Sequence, residues 1–97
     1  MHIISVKTLK LFLEAYPDAE SALKAWILCV KKAQWTKPND VLDSFNGADT
    51  LRNNRVVFNI AHNKYRLIVK VEYKKNVVFI RFIGTHKEYD KIDAENI

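Results

Sequence analysis

The segment from Tyr65 to Tyr73 constrains the fold more than any other. Tyr65, Leu67, Val69, Val71 and Tyr73 alternate without a break against Arg66, Ile68, Lys70 and Glu72. Side chains of an extended chain point alternately to opposite faces, so this is a strand with an apolar face that must be covered. Turn-forming stretches bound it, Ala61-His62-Asn63-Lys64 before and Lys74-Lys75-Asn76 after. Arg55–Ile60, rich in Val, Phe and Ile, and Val77–Ile83 read as strands on either side. Three consecutive strands joined by short turns form an antiparallel meander, with one face on a helical layer and the other open.

The first half of the chain supplies the cover. His2–Ser5 reads as a short strand. Ser5 is a candidate N-cap for a helix over Val6–Ala15, with Val6, Leu9, Phe12 and Leu13 on one stripe. Tyr16-Pro17-Asp18 stops that helix, and Asp18 is a candidate N-cap for the next. There Ala19, Ala22, Leu23, Trp26, Ile27 and Val30 recur at helical spacing. Gln34–Pro38 leaves the helix, Asp40–Phe45 suggests one turn, and Asn46-Gly47-Ala48-Asp49 a loop. The expected order is β-α-α-β-β-β-α. The fold class is α/β of the α+β kind: an N-terminal helical hairpin packed on a mainly antiparallel sheet, with a short C-terminal helix. Residues 1–97 are expected to form one domain, because a second core would be too small to stand alone.

Several function classes find no support. The lone Cys29 lies in the apolar run Ala25–Val30 and reads as a buried, inert thiol in a reducing compartment. No secretory leader pattern opens the chain, and no apolar run nears the ~18 residues of a membrane span. A cytoplasmic protein without a membrane partner is expected. The three His and one Cys show no metal-ligand spacing. No phosphate-binding loop, dinucleotide fingerprint or nucleophile elbow is present, so neither metal nor cofactor is expected.

Charge points instead to a polyanion. Residues 1–51 balance six Lys with six acids. Residues 52–87 carry Arg52, Arg55, Lys64, Arg66, Lys70, Lys74, Lys75, Arg81 and Lys87 against Glu72 alone. Nucleic acid is the first partner such an excess suggests. If Leu67, Val69 and Val71 face the core, Arg66 and Lys70 face away, joined by Phe79 and Arg81 from one neighbouring strand and by Arg55, Val57 and Asn59 from the other. Four cations and an aromatic on one sheet face suit single-stranded RNA.

The stretch VFIRFIGTHKEYDKID, Val78 to Asp93, adds chemistry. Gly84 is expected to end the strand in a sharp turn. Thr85-x-x-Glu88 matches a capping box, so a helix starts at His86 and sets His86 and Tyr89 three apart on one face. A helix N-terminus favours phosphate. RNA cleavage without metal needs removal of the 2′-OH proton, stabilisation of a negative transition state and protonation of the leaving 5′-oxygen. His titrates near neutral pH, Arg and Lys (Arg81 and Lys87 here) hold phosphate charge, and Tyr stacks or donates a proton. Bland readings compete: His86 as an exposed first-turn residue, Tyr89 as cover for the sheet edge, Arg81 paired with Glu72. The residues alone therefore leave two readings, a ribonuclease or a non-catalytic RNA- or DNA-binding regulatory module.

Three motifs in order, Asn54–Ile60 (NRVVFNI), Asn63–Val69 (NKYRLIV) and Ile80–Asp90 (IRFIGTHKEYD), closely resemble the HigB-type toxins of the RelE superfamily. Met1–Ser5 and Lys31–Trp35 are similar as well, so the resemblance runs along essentially the whole chain. It implies a compact RelE-like fold and a metal-independent mRNA interferase acting in the ribosomal A site. It also implies a helix-turn-helix antitoxin that neutralises the toxin and joins it in repressing their operon through operator DNA. It implies catalytic roles for Arg66, Arg81, His86 and Tyr89, with Asn63 and Lys64 as further substrate contacts.

Overall fold

The computed structural model describes residues Met1–Ile97. Strand β1 (His2–Ile4) leads into helices α1 (Val6–Ala15), α2 (Glu20–Lys32) and α3 (Pro38–Ser44). Strands β2 (Asp49–Thr50), β3 (Arg55–Ile60), β4 (Tyr65–Glu72) and β5 (Val77–Thr85) follow, then the single-turn helix α4 (His86–Tyr89). The sheet order is β1-β5-β4-β3-β2. The meander is antiparallel as expected, and β1 closes one edge by pairing parallel to β5. The α+β architecture read from the sequence is the one observed.

The core lies between α1–α2 and one sheet face. Leu9, Leu23, Trp26 and Val30 from the helices meet Val56, Phe58, Leu67, Val69, Val71, Val78 and Ile80 from the strands. Trp26 and Phe45 set their edges against the Phe58 ring, and Trp35 stacks on it. Fully burying side chains of this size stabilises by roughly 1.5–3 kcal/mol each.

Several local expectations are corrected. The region after α2 holds a seven-residue helix, where one turn was expected, because Pro38 sits at its first position without losing a needed donor. Asp49–Thr50 forms an edge strand rather than loop. Ser5 and Asp18 do not cap through their side chains: Ser5 takes a left-handed conformation, and Asp18 lies in the 3-10 turn Pro17–Ala19 that precedes α2. Gly84 does not end β5, which runs on through Thr85, and its φ is not positive. A Cβ at Gly84 would stand 2.6 Å from the Phe82 ring and 2.9 Å from the Glu88 carboxylate. Glycine is needed there for space, not for a turn.

β5 also carries a bulge. Ile68 pairs with Phe82 and Val69 with Ile80, so Arg81 is the extra residue. The bulge returns Ile83 to the core side and puts Phe82 on the opposite face, a switch that strict alternation does not predict.

Candidate ribonuclease site

The second sheet face is only partly open. Arg55 is only 9% exposed. Its Nε and Nη2 donate to the Ile97 main-chain oxygen at 3.1 and 2.6 Å, and its Nη1 donates to the Asn53 oxygen at 2.8 Å. Asn53 Nδ2 donates to the Glu95 oxygen at 3.0 Å. The chain after α4 thus returns from the β5 edge to the start of β3. Arg55 shares its face with Lys70, opposite the core pair Val56 and Val69, so the tail crosses the face expected to be free. Val57 and Ile68, 3% and 0% exposed, lie on that face outside the main core cluster. Arg55, expected to contact substrate, instead clamps the tail.

The other cations divide into separate groups. Lys70 Nζ lies 3.2 Å from the Glu72 carboxylate. Arg81 stands 5.8 Å over the Phe79 ring and makes no ion pair with Glu72. Lys64 Nζ turns toward the helical layer and donates to Asp18 Oδ2 at 3.1 Å. Lys87 is solvent-exposed on α4. The Arg55–Lys70 row and the Asn59–Arg66 row lie four residues apart, about 13 Å along the strands. Convergence of four cations on one surface is therefore not observed.

One cluster does form, at the β3–β4 hairpin. Asn59 pairs with Arg66, and Arg66 with Gly84. Arg66 Nη1 donates to the Asn63 main-chain oxygen at 3.2 Å. His86 Nε2 bonds to that same oxygen. A carbonyl only accepts, so Nε2 carries the proton and Nδ1 is left to give or take one. The Nε and Nη2 groups of Arg66 have no partner within the protein. Their donors remain for a phosphate.

Three devices hold this cluster. Ala61, His62 and Asn63 all take positive φ, and Lys64 N bonds back to the Ala61 oxygen at 3.2 Å. The hairpin therefore turns tightly and aims the Asn63 oxygen toward α4. On its far side the Tyr65 hydroxyl donates to Asp18 Oδ1 at 2.7 Å. That bond pushes the Tyr65 pKa up to about 12, and the same bond together with Lys64 lowers that of Asp18. Finally, Thr85 and Glu88 form the capping box read from the sequence, at 2.8 Å (Thr85 N to Glu88 Oε1) and 3.3 Å (Glu88 N to Thr85 Oγ1). It fixes His86 as the first residue of α4. A four-residue helix has little dipole, so the phosphate attraction expected of its N-terminus is minor. Tyr89 is half-buried, one turn after His86.

The sequence names Arg66, His86 and Asn63 as candidates but does not reveal that they meet at one main-chain oxygen. Alternation sets side chains on faces; it does not reveal a shared main-chain acceptor. Nor does it reveal the cavity of ≈ 300 Å³ lined by Ser44, Phe45, Asn46, Gly47, Ala48, Phe58 and Asn59, beside the Arg66 row.

A meander sheet under a helical hairpin, with Arg and His gathered at one hairpin, defines an α+β protein with a basic rim. Residues 19–92 match the HigB toxin family, described as the RelE-like toxic component of a toxin–antitoxin system. The mRNA interferase toxin HigB of Escherichia coli (strain K12) is 33% identical over 96 residues, 97% of this chain and 92% of that protein. The mRNA interferase HigB of Shigella flexneri matches to the same extent. That of Escherichia coli O6:H1 is 28% identical over 94 residues, 95% of this chain and 91% of its own. The chain belongs to the HigB toxin family.

Proposed function

We propose that this protein is the toxin of a toxin–antitoxin module and acts as an endoribonuclease on mRNA. The relatives' names give the substrate class. The observation that carries the reading is the shared Asn63 oxygen, which sets the Arg66 guanidinium and the His86 imidazole side by side. The free guanidinium donors hold the scissile phosphate and stabilise the charge that develops in the transition state. His86, through Nδ1, moves the proton of the attacking 2′-OH or of the leaving 5′-oxygen. Tyr89 stacks on a base or assists proton transfer from the same side. Arg81 on Phe79 contacts the RNA backbone and a base further along, with Lys87 adding positive charge at the rim. Attack by the 2′-OH leaves a 2′,3′-cyclic phosphate and a 5′-hydroxyl.

The working context is mRNA in the ribosomal A site, in the cytoplasm. A helix-turn-helix antitoxin neutralises the toxin and with it binds operator DNA. No helix is long and apolar enough to cross a membrane. A growth assay with induced expression tests the site. His86→Ala, Arg66→Ala and Arg81→Ala are each expected to relieve growth arrest at wild-type protein levels. Full toxicity of all three variants contradicts the assignment.

A further inference from the structure

The cavity beside the Arg66 row has a chemistry of its own. It opens at the outer edge of β3, where β2 has ended: β2 pairs only with Val56 and Val57, and the Ser44–Ala48 segment lies against Phe58 and Asn59 instead. Its apolar wall is Phe45, with its ring edge on Phe58, centroids 5.0 Å apart. Its polar groups are Ser44, Asn46 and Asn59, and no charged side chain lines it. At ≈ 300 Å³ it stands at the small end of ligand pockets, ~300–1,000 Å³. An aromatic wall with neutral hydrogen-bonding groups fits a flat, uncharged, polar-edged ring. It does not fit a phosphate or a carboxylate.

Asn59 links this cavity to the candidate site. It is paired directly with Arg66, so their Cα atoms lie about 5 Å apart. One Asn59 N–H donates to the Gly47 oxygen at 3.3 Å, which fixes the amide plane and leaves its carbonyl and second N–H available. A phosphate on Arg66 would therefore bring a neighbouring base within reach of an oriented acceptor and donor.

We infer that the cavity formed by Phe45, Asn46, Gly47, Phe58 and Asn59 is a nucleobase subsite, which reads one nucleotide next to the phosphate held by Arg66. The inference deepens the ribonuclease reading and rests on it. Specificity then arises at the Asn59 amide, and Phe45 supplies sequence-tolerant stacking. Gly47 offers a means of blocking the pocket without disturbing the core. A Cβ there would meet only the Asn59 amide, at 3.8 Å, and its φ is not positive.

The test maps the 5′ ends of cellular mRNA after induction of the wild type, Asn59→Ala and Gly47→Leu, with thermal melts to confirm folding. The wild type is expected to prefer one base at one position flanking the cut. Both variants are expected to lower that preference by about tenfold, the scale of a lost amide–base pairing, while preferences at other positions persist. An unchanged profile in both variants, or a wild type indifferent to flanking bases, overturns the subsite alone. Absence of cleavage by the wild type overturns the ribonuclease reading with it.

Discussion

At the residue scale, two side chains form the proposed site and a third holds their hairpin. The Asn63 main-chain carbonyl fixes the proton on His86 Nε2 and leaves Nδ1 as the unengaged ring nitrogen. Asp18 acts from the opposite side of the hairpin through Tyr65 and Lys64. Its pKa lies below the ordinary 3.8 in the folded chain, because the charged carboxylate receives both bonds. The stabilisation is fully present above the unfolded value and fades as pH falls through the lower folded one. Melting curves of the wild type and Asp18→Asn are therefore expected to differ at pH 6, to begin closing near the ordinary value of 3.8 and to converge only once pH has fallen through the lower folded value. A gap that persists undiminished in acid would show that the Asp18 charge plays no part in holding the hairpin.

At the element scale, Gly84 shows how close packing governs the β5–α4 junction. Gly84→Ala places a methyl against Phe82 and the capping carboxylate, and is expected to destabilise the fold by about 1–3 kcal/mol in chemical denaturation. An unaffected midpoint would mean that the ring moves aside freely. Thr85→Ala removes one half of the capping box and is expected to cost about 0.5–2 kcal/mol. The capping box was legible because it is a local pattern of four residues. The meander was legible because alternation fixes faces, and the helix stripes because Leu9, Leu23, Trp26 and Val30 follow helical spacing. The bulge at Arg81 was not legible, since both IRF and its neighbours satisfy a strand pattern in either phase. The fate of Arg55 was equally hidden. Only the return of residues 90–97, a contact over some forty positions, makes it a buried clamp rather than a substrate ligand.

At the scale of the whole molecule, the acidic C-terminal segment covers part of the basic sheet face. The RNA path proposed above runs from the cavity at the β3 edge past the Arg66–His86 hairpin and Phe82 to Arg81 and Phe79. A polyanion bound there must bind more weakly as salt rises, with a slope set by the number of phosphates held. Arg81→Gln is expected to reduce the slope of log K against log salt by about 0.7, the contribution of one phosphate contact on a single strand. An unchanged slope would place the RNA elsewhere. The family assignment is independent of this geometry, whereas the identity of the cleaving groups depends on it entirely.

The most direct measurement is single-turnover cleavage of a translated mRNA by the purified protein, with the chemistry of the new ends determined. The wild type is expected to leave 5′-hydroxyl ends. His86→Ala is expected to be slower by about 10²–10⁴-fold with an unchanged melting temperature, as for loss of a general acid or base. Cleavage by His86→Ala at the wild-type rate, or 5′-phosphate ends from the wild type, would contradict an Arg66–His86 site at the β3–β4 hairpin.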